Sequence, residues 1–546
     1  MAGRAEVTVG LGIAGVVLWL SVLPLGRLVI EAMHHGAAPA WRPVITALGR
    51  SVVTSVGGGA VSLVLGTGYA VAATVTDAPA RRLLAICALL PLLIPAQIIA
   101  LAWMQMLAGI DIHAFYAWLY SPAGVILLLG IEHIPIVFLT VRAAIRSIPA
   151  ELVEAARAGG VPARRVFSRI ILPLATPGLA AGFGLSVLSC LGSFGIPAMI
   201  GIPARYTTLA VLIYQRLSGL GASALPEVAA MALCLAAVSG LAAAAVAGLA
   251  RGVDTRIIGG AAGGSGARLL LGRGRAVVAG TLLTTAVVTV LLPLLSLVST
   301  SLSRAYGTRF TLRTATMEHY ASVLRTPEMA HAFATSATLA VGTAAIAMIL
   351  AVPLAVLCVA DGPRWLRALY RGLDPLIDAP YALPGIVLAI GMILLYLPPL
   401  PLLRLSLYGT PWIMLLAYVA RFLPLGLRPV QAALSGIDPI LDEAARAQGA
   451  GFLRRLTVIA APLLTPAAAG AATLVLLTAF GELTVSALLW SPGNETVGVL
   501  IFSLNEGGDI AGAAAVSVMC LAVVFAVAGM TALLPAQARR VLPWAV

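Results

Sequence analysis

The chain of 546 residues contains no lysine, so all 34 of its basic residues are arginine. A P-loop places a lysine on the β- and γ-phosphates of its nucleotide. The chain therefore cannot carry a standard nucleotide-hydrolysing P-loop, and any ATP must be handled by a separate subunit. We expect no cofactor in the chain itself.

Cysteine and histidine are few and isolated. The five cysteines lie singly in apolar runs, without a CxxC pair or histidines at metal-ligand spacing. The six histidines fall mostly outside the apolar runs, and no HExxH, GxSxG or aspartate dyad lies on a span. We therefore predict neither a metal site nor an enzyme active site.

Charged residues make up only 10% of the chain, whereas 60% of its residues are hydrophobic. Apolar runs of roughly 20 residues recur along the whole length, which is typical of membrane-spanning helices. The net charge of +13 comes from arginines spread through short loops, a pattern that orients a membrane protein and does not favour nucleic-acid binding. The sequence predicts an all-α, polytopic membrane protein in contact with lipid.

Twelve candidate spans can be read from the apolar runs. They lie near residues 7–30, 51–75, 83–108, 122–142, 175–200, 227–250, 276–300, 333–360, 376–398, 411–431, 464–489 and 510–534. Prolines inside four of them, at Pro95, Pro135, Pro384 and Pro424, should kink their helices.

Two copies of one segment carry most of the information. EAARAGGVPARRVFSRIILP begins at Glu154, and the similar EAARAQGAGFLRRLTVIAAP begins at Glu443, an offset of 289 residues. The same ungapped offset aligns Pro91 with Pro380 and Gly192 with Gly481. We name residues 147–173 the first repeated segment and residues 436–462 the second repeated segment.

Each half of the chain is therefore predicted to be one six-helix repeat. The first covers residues 1–250, the second covers residues 276–546, and the Gly- and Arg-rich stretch 251–275 reads as a flexible linker. Six spans is an even number, so the repeats are parallel and both repeated segments fall on one side of the membrane. Most arginines fall on that side, which predicts a cytosolic location for the segments and for both termini.

A short helix is predicted within each repeated segment. In the second, Asp438 is a good N-cap, Pro439 suits the first helical position and Gly449 is placed to end the helix. The first copy starts at Pro149 and stops at Gly160. A small-residue face beside charges suits docking on another protein; the alternative is a solvated helix whose arginines face lipid headgroups.

These residues resemble the EAA signature of the permease subunits of type I ABC importers. The match comprises Glu154, Ala155, Ala156 and Gly160 with Ile170, Leu172 and Pro173, and then Glu443, Ala444, Ala445 and Gly449 with Ile459 and Pro462. The second copy has Ala461 where leucine is usual.

The resemblance implies a coupling helix from each copy in a cleft of a homodimeric ABC ATPase, which would bind the ATP and Mg²⁺. It also implies a periplasmic or lipid-anchored substrate-binding protein outside a bacterial cytoplasmic (inner) membrane. Two motifs in one chain are similar to the fused permeases of ferric-iron importers, and the segments 193–217 and 481–508 favour iron. Thiamine, polyamine and phosphonate-type solutes are the alternatives.

Ionisable residues within spans are candidates for the translocation path, because burying them in a bilayer is costly. Glu132 lies within the fourth span, and the offset places Arg421 opposite it in the other repeat. We hypothesise that these two form a closed-gate ion pair; the alternative is a separate environment for each. Glu482, whose counterpart is Ser193, is a candidate for attracting cations or only a helix cap.

Two other classes of protein are less compatible with the sequence. A secondary transporter with parallel repeats would place ionisable pairs in many spans and would need no docking segments. A membrane-embedded enzyme would need a catalytic constellation. Sparse charge within the spans and the missing catalytic motifs argue against both.

Overall fold

A computed structural model describes residues 4–34, 40–109, 113–251, 269–272, 274–304, 311, 313–359, 364–399 and 404–544. Within these ranges the regular structure is helical, with two isolated β-bridges and no extended strand. The predicted all-helical fold is thus confirmed. Most of the predicted linker, residues 252–268, lies outside the described residues.

Within the part of the chain that the structure describes, nine helices are long and apolar enough to cross a membrane. They are Ala5–Met33, Trp41–Thr74, Ala163–Gly192, Leu225–Gly248, Gly274–Ser301, Pro327–Cys358, Pro411–Leu434, Phe452–Phe480 and Ile510–Leu533. Three further pairs of helices pass the same test but are bent: Arg81–Leu93 with Ala96–Ala108, Pro122–Glu132 with Ile134–Arg146, and Ala368–Ala382 with Gly385–Tyr396. Counting each bent pair as one span gives up to 12 spans, which agrees with the twelve spans predicted from the sequence.

Shorter helices connect the spans. They are His113–Leu119, Ala150–Ala158, Leu209–Leu220, Glu318–Arg325, Ile440–Ala447, Ser486–Leu489, Val497–Glu506 and Ala536–Arg539.

Proline accounts for the bends. Two pairs turn by 105°, directly before Pro95 and at Pro384, because a proline ring excludes the preceding residue from helical geometry and removes a backbone donor. The third pair bends by 46° at His133, two residues before Pro135. Pro424, by contrast, lies inside the helix Pro411–Leu434, which is not among the bent spans.

Four spans contain a π-helical turn directly before the proline of a Leu-Pro or Ala-Pro pair. The turns are Leu18–Val22, Phe167–Ile171, Val287–Leu291 and Leu456–Ala460. Because proline cannot donate a backbone hydrogen bond, the preceding turn widens to keep its carbonyls satisfied. The turns at Phe167 and Leu456 stand 289 residues apart, so the repeat extends to this local irregularity.

Contacts divide the chain into two compact units that differ from the two halves of the sequence. Unit 1 comprises Met1–Trp41, Ile213–Ala236 and Glu318–Ala545, and unit 2 comprises Arg42–Leu212 and Ala237–Met317. Unit 1, formed mostly by the second half of the sequence, therefore contains the first membrane helix of the first half, Ala5–Met33. Unit 2, formed mostly by the first half, contains the first membrane helix of the second half, Gly274–Ser301. The domain boundaries drawn above describe the sequence repeat and stay a prediction.

The exchanged helices are closely packed in their units. In unit 1, a side chain at Gly391 would collide with the carbonyl oxygen of Pro24, so glycine is needed for this approach. In unit 2, the indole of Trp103 donates to Thr289 O at 3.1 Å, and the hydroxyl of Tyr69 donates to Leu282 O at 2.7 Å. Buried donors with such partners fix the position of the helix they bond.

Candidate functional site

The first repeated segment begins with the helix Ala150–Ala158, which we call the first motif helix. It follows Pro149, whose backbone is not helical (φ −57°, ψ 133°). The helix buries Val153, at 5% exposure, while Glu154 is exposed. An apolar contact therefore holds the helix and leaves its glutamate facing outward.

The second motif helix, Ile440–Ala447, is even more exposed, because it buries none of its residues. Its start is capped as predicted, since the backbone N–H of Ile440 donates to Asp438 Oδ1 at 3.0 Å. Ile440 is 63% exposed, Leu441 is 47% exposed, and Glu443 also faces outward. Exposed apolar side chains beside a charge suit a protein contact.

Both motif helices end at a glycine in the left-handed region. Gly160 has φ +74° and Gly449 has φ +76°, and open space surrounds the position of a Cβ at each. Glycine is therefore required by the backbone conformation and not by crowding.

The hydrogen bonds that close the two helices are also the same. Val161 N donates to Ala156 O at 3.0 Å, and Ala450 N donates to Ala445 O at 3.0 Å. The acceptors Ala156 and Ala445 are half-buried, while the alanines before them, Ala155 and Ala444, are exposed. The predicted coupling residues thus occupy equivalent positions in two copies of one helix and turn.

The first motif helix is anchored by apolar packing. Val153 and Val166 belong to one buried cluster in unit 2, at 5% and 0% exposure. Leu269, at the end of the linker, joins the same cluster and pairs with the loop at Val75, to whose carbonyl its N–H donates at 2.8 Å.

The second motif helix is anchored by charge. Arg455, only 5% exposed, places its Nη1 2.6 Å from both carboxylate oxygens of Asp442. Its Nη2 lies 3.8 Å from Glu6 Oε2, and Glu6 is also 5% exposed. Arg446 Nε donates to the same Asp442 at 2.8 Å.

Sequence analysis missed this cluster, although the offset contained a signal for it. Asp442 stands 289 residues after Val153, and Arg455 stands 289 residues after Val166. Two apolar residues in one copy are thus replaced together by an oppositely charged pair in the other. Comparing the copies position by position would have found the pair, though not its third member, Glu6.

A cavity of about 110 Å³ lies beside the second motif helix. Its walls include the charged side chains of Asp442, Glu443, Arg446 and Arg455, together with apolar ones such as Leu441. This face of unit 1 therefore combines an apolar recess with charges of both signs.

Two of the predicted path residues meet in unit 2. Ser193 Oγ donates to Glu132 Oε2 at 3.3 Å, and Glu132 lies at the 46° bend between Pro122–Glu132 and Ile134–Arg146. The neighbouring His133 places Nδ1 3.8 Å from Glu132 Oε2 and 2.8 Å from Leu129 O. The bend gathers these polar groups within an otherwise apolar span.

The corresponding residues of the second repeat lie in unit 1 and differ in role. Glu482 is 8% exposed, and its carboxylate accepts from Val485 N at 2.9 Å and from Ser486 N at 3.3 Å, so it caps the helix Ser486–Leu489. Among the described residues, the Nη1 atom of Arg421 has no hydrogen-bond partner, and it lies against Gly385. Glu132 and Arg421 belong to different units, and their pairing stays a prediction.

Another charged cluster in unit 1 also escaped the sequence analysis. Arg428 donates to Asp374 Oδ1 at 2.9 Å, to Asp378 and to Gln431 Oε1 at 2.9 Å. Among the described residues, no group of three or more His, Cys, Asp or Glu side chains is arranged to hold a metal ion.

Comparison with known proteins places the repeat in a family. Residues 65–312 and 347–542 both match the family described as binding-protein-dependent transport system inner membrane component. A Sinorhizobium fredii protein named a probable ABC transporter permease is 28% identical over 67% of this chain and 63% of its own length.

Other relatives match shorter stretches. A Salmonella choleraesuis protein named as a permease of a 2-aminoethylphosphonate transport system is 29% identical over 30% of this chain and 58% of its own length. A sulfate transport system permease of Salmonella typhimurium is 28% identical over 28% of this chain and 58% of its own length. The chain thus spans 58% to 63% of the length of these relatives. Because the family domain occurs twice and covers most of the sequence, the chain belongs to the binding-protein-dependent transport system inner membrane components.

Proposed function

We propose that the chain is the membrane-spanning permease of an ATP-driven, binding-protein-dependent importer. Family membership supports this proposal and argues against a secondary transporter or an enzyme. The observation that carries it is the duplicated motif helix, with the same left-handed glycine, the same closing hydrogen bond and an outward glutamate in each copy.

Two equivalent helices fit two equivalent partner sites. Each motif helix would enter one subunit of a homodimeric ATPase, which binds the ATP and Mg²⁺. Glu154 and Glu443 would contact the ATPase, while the alanines beside them permit close approach. In this proposal both repeated segments and both termini are cytosolic, in a bacterial cytoplasmic membrane, and a substrate-binding protein docks on the outer side.

The translocation path would use the polar groups found within the spans. Glu132 and Ser193 lie at a bent span of unit 2, and Arg421 and Glu482 are their counterparts in unit 1. A double-mutant cycle that combines Glu132→Gln with Arg421→Met tests the closed-gate pair, and additive effects on uptake would rule it out.

Two substrate classes follow from different observations. Ferric iron is the substrate that the resemblance to fused permeases implies. The relatives reported above are instead named for 2-aminoethylphosphonate and sulfate, and none of these names mentions iron. We therefore propose a phosphonate-type oxyanion as the second candidate.

The test is uptake into proteoliposomes that contain the chain, its neighbouring ATPase and its binding protein, with labelled ferric iron and labelled 2-aminoethylphosphonate compared. ATP-dependent uptake of one solute would identify the substrate class. Uptake should be lost in the double variant Glu154→Arg, Glu443→Arg and largely kept in the control Glu151→Arg, which reverses an exposed charge one turn earlier.

The outcomes separate the parts of the proposal. Uptake of neither solute by an assembled complex would exclude both substrates. Uptake that persists in the double variant would remove the coupling role from Glu154 and Glu443. A complex that never binds an ATPase would contradict the permease function itself.

A further inference from the structure

Three charged side chains from distant parts of the sequence meet in unit 1. Glu6 comes from the helix Arg4–Val17, Asp442 from the second motif helix, and Arg455 from the short turn Phe452–Arg455. We propose that Arg455, Asp442 and Glu6 form a positioning clasp, which holds the second motif helix to the first membrane helix of the chain. The clasp rests on the proposed function in one respect, since the helix it holds is the one that contacts the ATPase.

The geometry makes Arg455 the centre of the clasp. Both oxygens of Asp442 lie 2.6 Å from its Nη1, and the second amino group, Nη2, faces Glu6 at 3.8 Å. A buried guanidinium with two carboxylates has a defined orientation, because its donors are fixed in one plane. Removal of Arg455 would leave both carboxylates without this guanidinium, at a site where Glu6 is 5% exposed.

The location explains why this clasp would matter for transport. Asp442 directly precedes Glu443, the residue proposed to contact the ATPase, and Arg455 lies at the start of the membrane span Phe452–Phe480, directly before its π-helical turn. A displacement of the motif helix would therefore be passed to two membrane helices at once, the one that follows it and the first one of the chain.

The two motif helices should therefore differ in how firmly they are coupled to the membrane helices beside them. In the first, Val153 and Val166 pack in an apolar cluster, where contacts are not directional and allow sliding. In the second, the ion pairs fix the helix at one orientation. The clasp is thus a property of one copy, and neither the duplicated motif nor the family domain predicts it.

Hydrogen exchange tests whether the clasp exists. The experiment uses purified protein in lipid nanodiscs with the substitution Arg455→Met. The matched control is Arg454→Met, the same change at the exposed neighbouring arginine. Amides of residues 440–447 should exchange at least about tenfold faster in the Arg455 variant and at the wild-type rate in the control. Equal rates in both variants would overturn the clasp.

A milder variant covers the case in which Arg455→Met fails to fold. Glu6→Gln keeps the shape of the side chain and removes the negative charge that lies 3.8 Å from Arg455 Nη2. Exchange should then rise in residues 440–447 by a smaller factor, about threefold. An unchanged rate in Glu6→Gln would remove the first helix from the clasp.

The positioning role is tested by the ratio of ATP hydrolysed to solute transported in assembled proteoliposomes. The ratio should rise at least about fivefold in Glu6→Gln while the ATPase stays bound, because hydrolysis would continue without movement of the first helix. A wild-type ratio in this variant would overturn the role.

A repacked variant separates positioning from stability. The triple change Glu6→Gln, Asp442→Val, Arg455→Val copies the valine pair of the first repeat and should restore slow exchange, but not the wild-type ratio. Restoration of both would show a structural role only and overturn the positioning role. A wild-type complex that transports nothing would overturn the proposed function, and the exchange rates would still decide whether the clasp exists.

Discussion

The two repeated segments share a helix, a glycine turn and an outward glutamate, yet they are attached to their units by different forces. In unit 2 the first motif helix is held by Val153 and Val166, both buried. In unit 1 the same two positions are Asp442 and Arg455, which form an ion pair at 2.6 Å. The exposed face of the motif helix is repeated, whereas the packing that supports it is not.

The same contrast occurs nearer the spans. Arg428 of unit 1 binds Asp374 and Asp378, and the residues 289 positions earlier are apolar residues in the unit 2 core or packed against it. These earlier residues are Ala85, Leu89 and Leu139. The second repeat thus has a complementary set of charged residues where the first repeat has apolar ones, so that each charge has a partner.

Between the two copies, the exposed face of the motif helix is thus more similar than the packing beneath it. Apolar packing depends on volume and tolerates small displacements, whereas an arginine with two carboxylates requires one orientation. The side chain of Arg455 is 6% exposed and that of Asp442 is 40% exposed. An ion pair with one buried partner is seldom more stabilising than well-packed valines, so its advantage lies in geometry. The second motif helix should therefore be the more rigidly oriented of the two.

The largest expected effect comes from placing one half of the ion pair in the apolar copy. Val166→Arg buries a guanidinium within an apolar cluster, at a position with 0% exposure, so we expect a loss of stability of at least about 3 kcal/mol. The measurement is the thermal unfolding midpoint of the purified protein. Adding Val153→Asp should recover part of the loss, because it recreates the pair found in the other copy.

A surface control accompanies this experiment. Val161→Arg introduces the same side chain at an exposed position of the first repeated segment, and its effect should stay within about 0.5 kcal/mol. If Val153→Asp deepens the loss caused by Val166→Arg, the two copies do not share the geometry that the comparison assumes.

The next largest loss of stability is expected when Arg428 is replaced. Its side chain is 39% exposed and its two aspartates are each 46% exposed, so water screens the cluster. Arg428→Met should therefore cost about 2 kcal/mol, less than the loss of a fully buried pair. The control is Leu139→Met at the equivalent position of the first repeat, a volume-conserving change.

The salt dependence of stability should differ between Arg428→Met and Leu139→Met. The difference between wild type and Arg428→Met should shrink in high salt, because ions screen exposed charges, whereas Leu139→Met should respond no differently from wild type. Equal salt dependence in both would mean that the charges around Arg428 contribute nothing specific.

Replacing the glycine that ends each motif helix should cause a smaller loss of stability, equal in the two copies. Gly160→Ala and Gly449→Ala each force a side chain into a backbone at φ +74° or +76°, which costs about 1 kcal/mol. Gly159→Ala is the control, since Gly159 has φ −75° and room for a Cβ. The two left-handed positions should lower the unfolding midpoint by the same amount; a clear difference between them would show that the shared turn is not equally needed.

These features differ in how far the sequence could predict them. The motif helices, Asp438 as a cap and the glycine ends follow from local rules, and the structure confirms them. The spans follow from runs of apolar residues, and the bends from proline. Local patterns carry this information because each one involves residues a few positions apart.

The remaining features depend on contacts between distant residues. Glu6 meets Arg455 across most of the chain, and each first membrane helix joins the unit of the opposite half. Neither pairing leaves a periodic pattern in the sequence. Glu482 is intermediate, because the sequence allowed both a helix cap and a path residue. Its bonds to Val485 and Ser486 show the cap, and its role in the path stays a prediction.

The smallest expected losses of stability concern Glu482 and Ser193, its counterpart in the first repeat. Glu482→Gln keeps an acceptor for the two N–H groups but removes the charge that strengthens both bonds, so we expect a loss of about 1 kcal/mol. Ser193→Ala removes one hydrogen bond of 3.3 Å to Glu132 and should cost about 0.5 kcal/mol. Unfolding midpoints of both variants give the ranking. A larger loss for Ser193→Ala would mean that the bond to Glu132 stabilises unit 2 more than the cap stabilises unit 1, which would reverse the order that the geometry predicts.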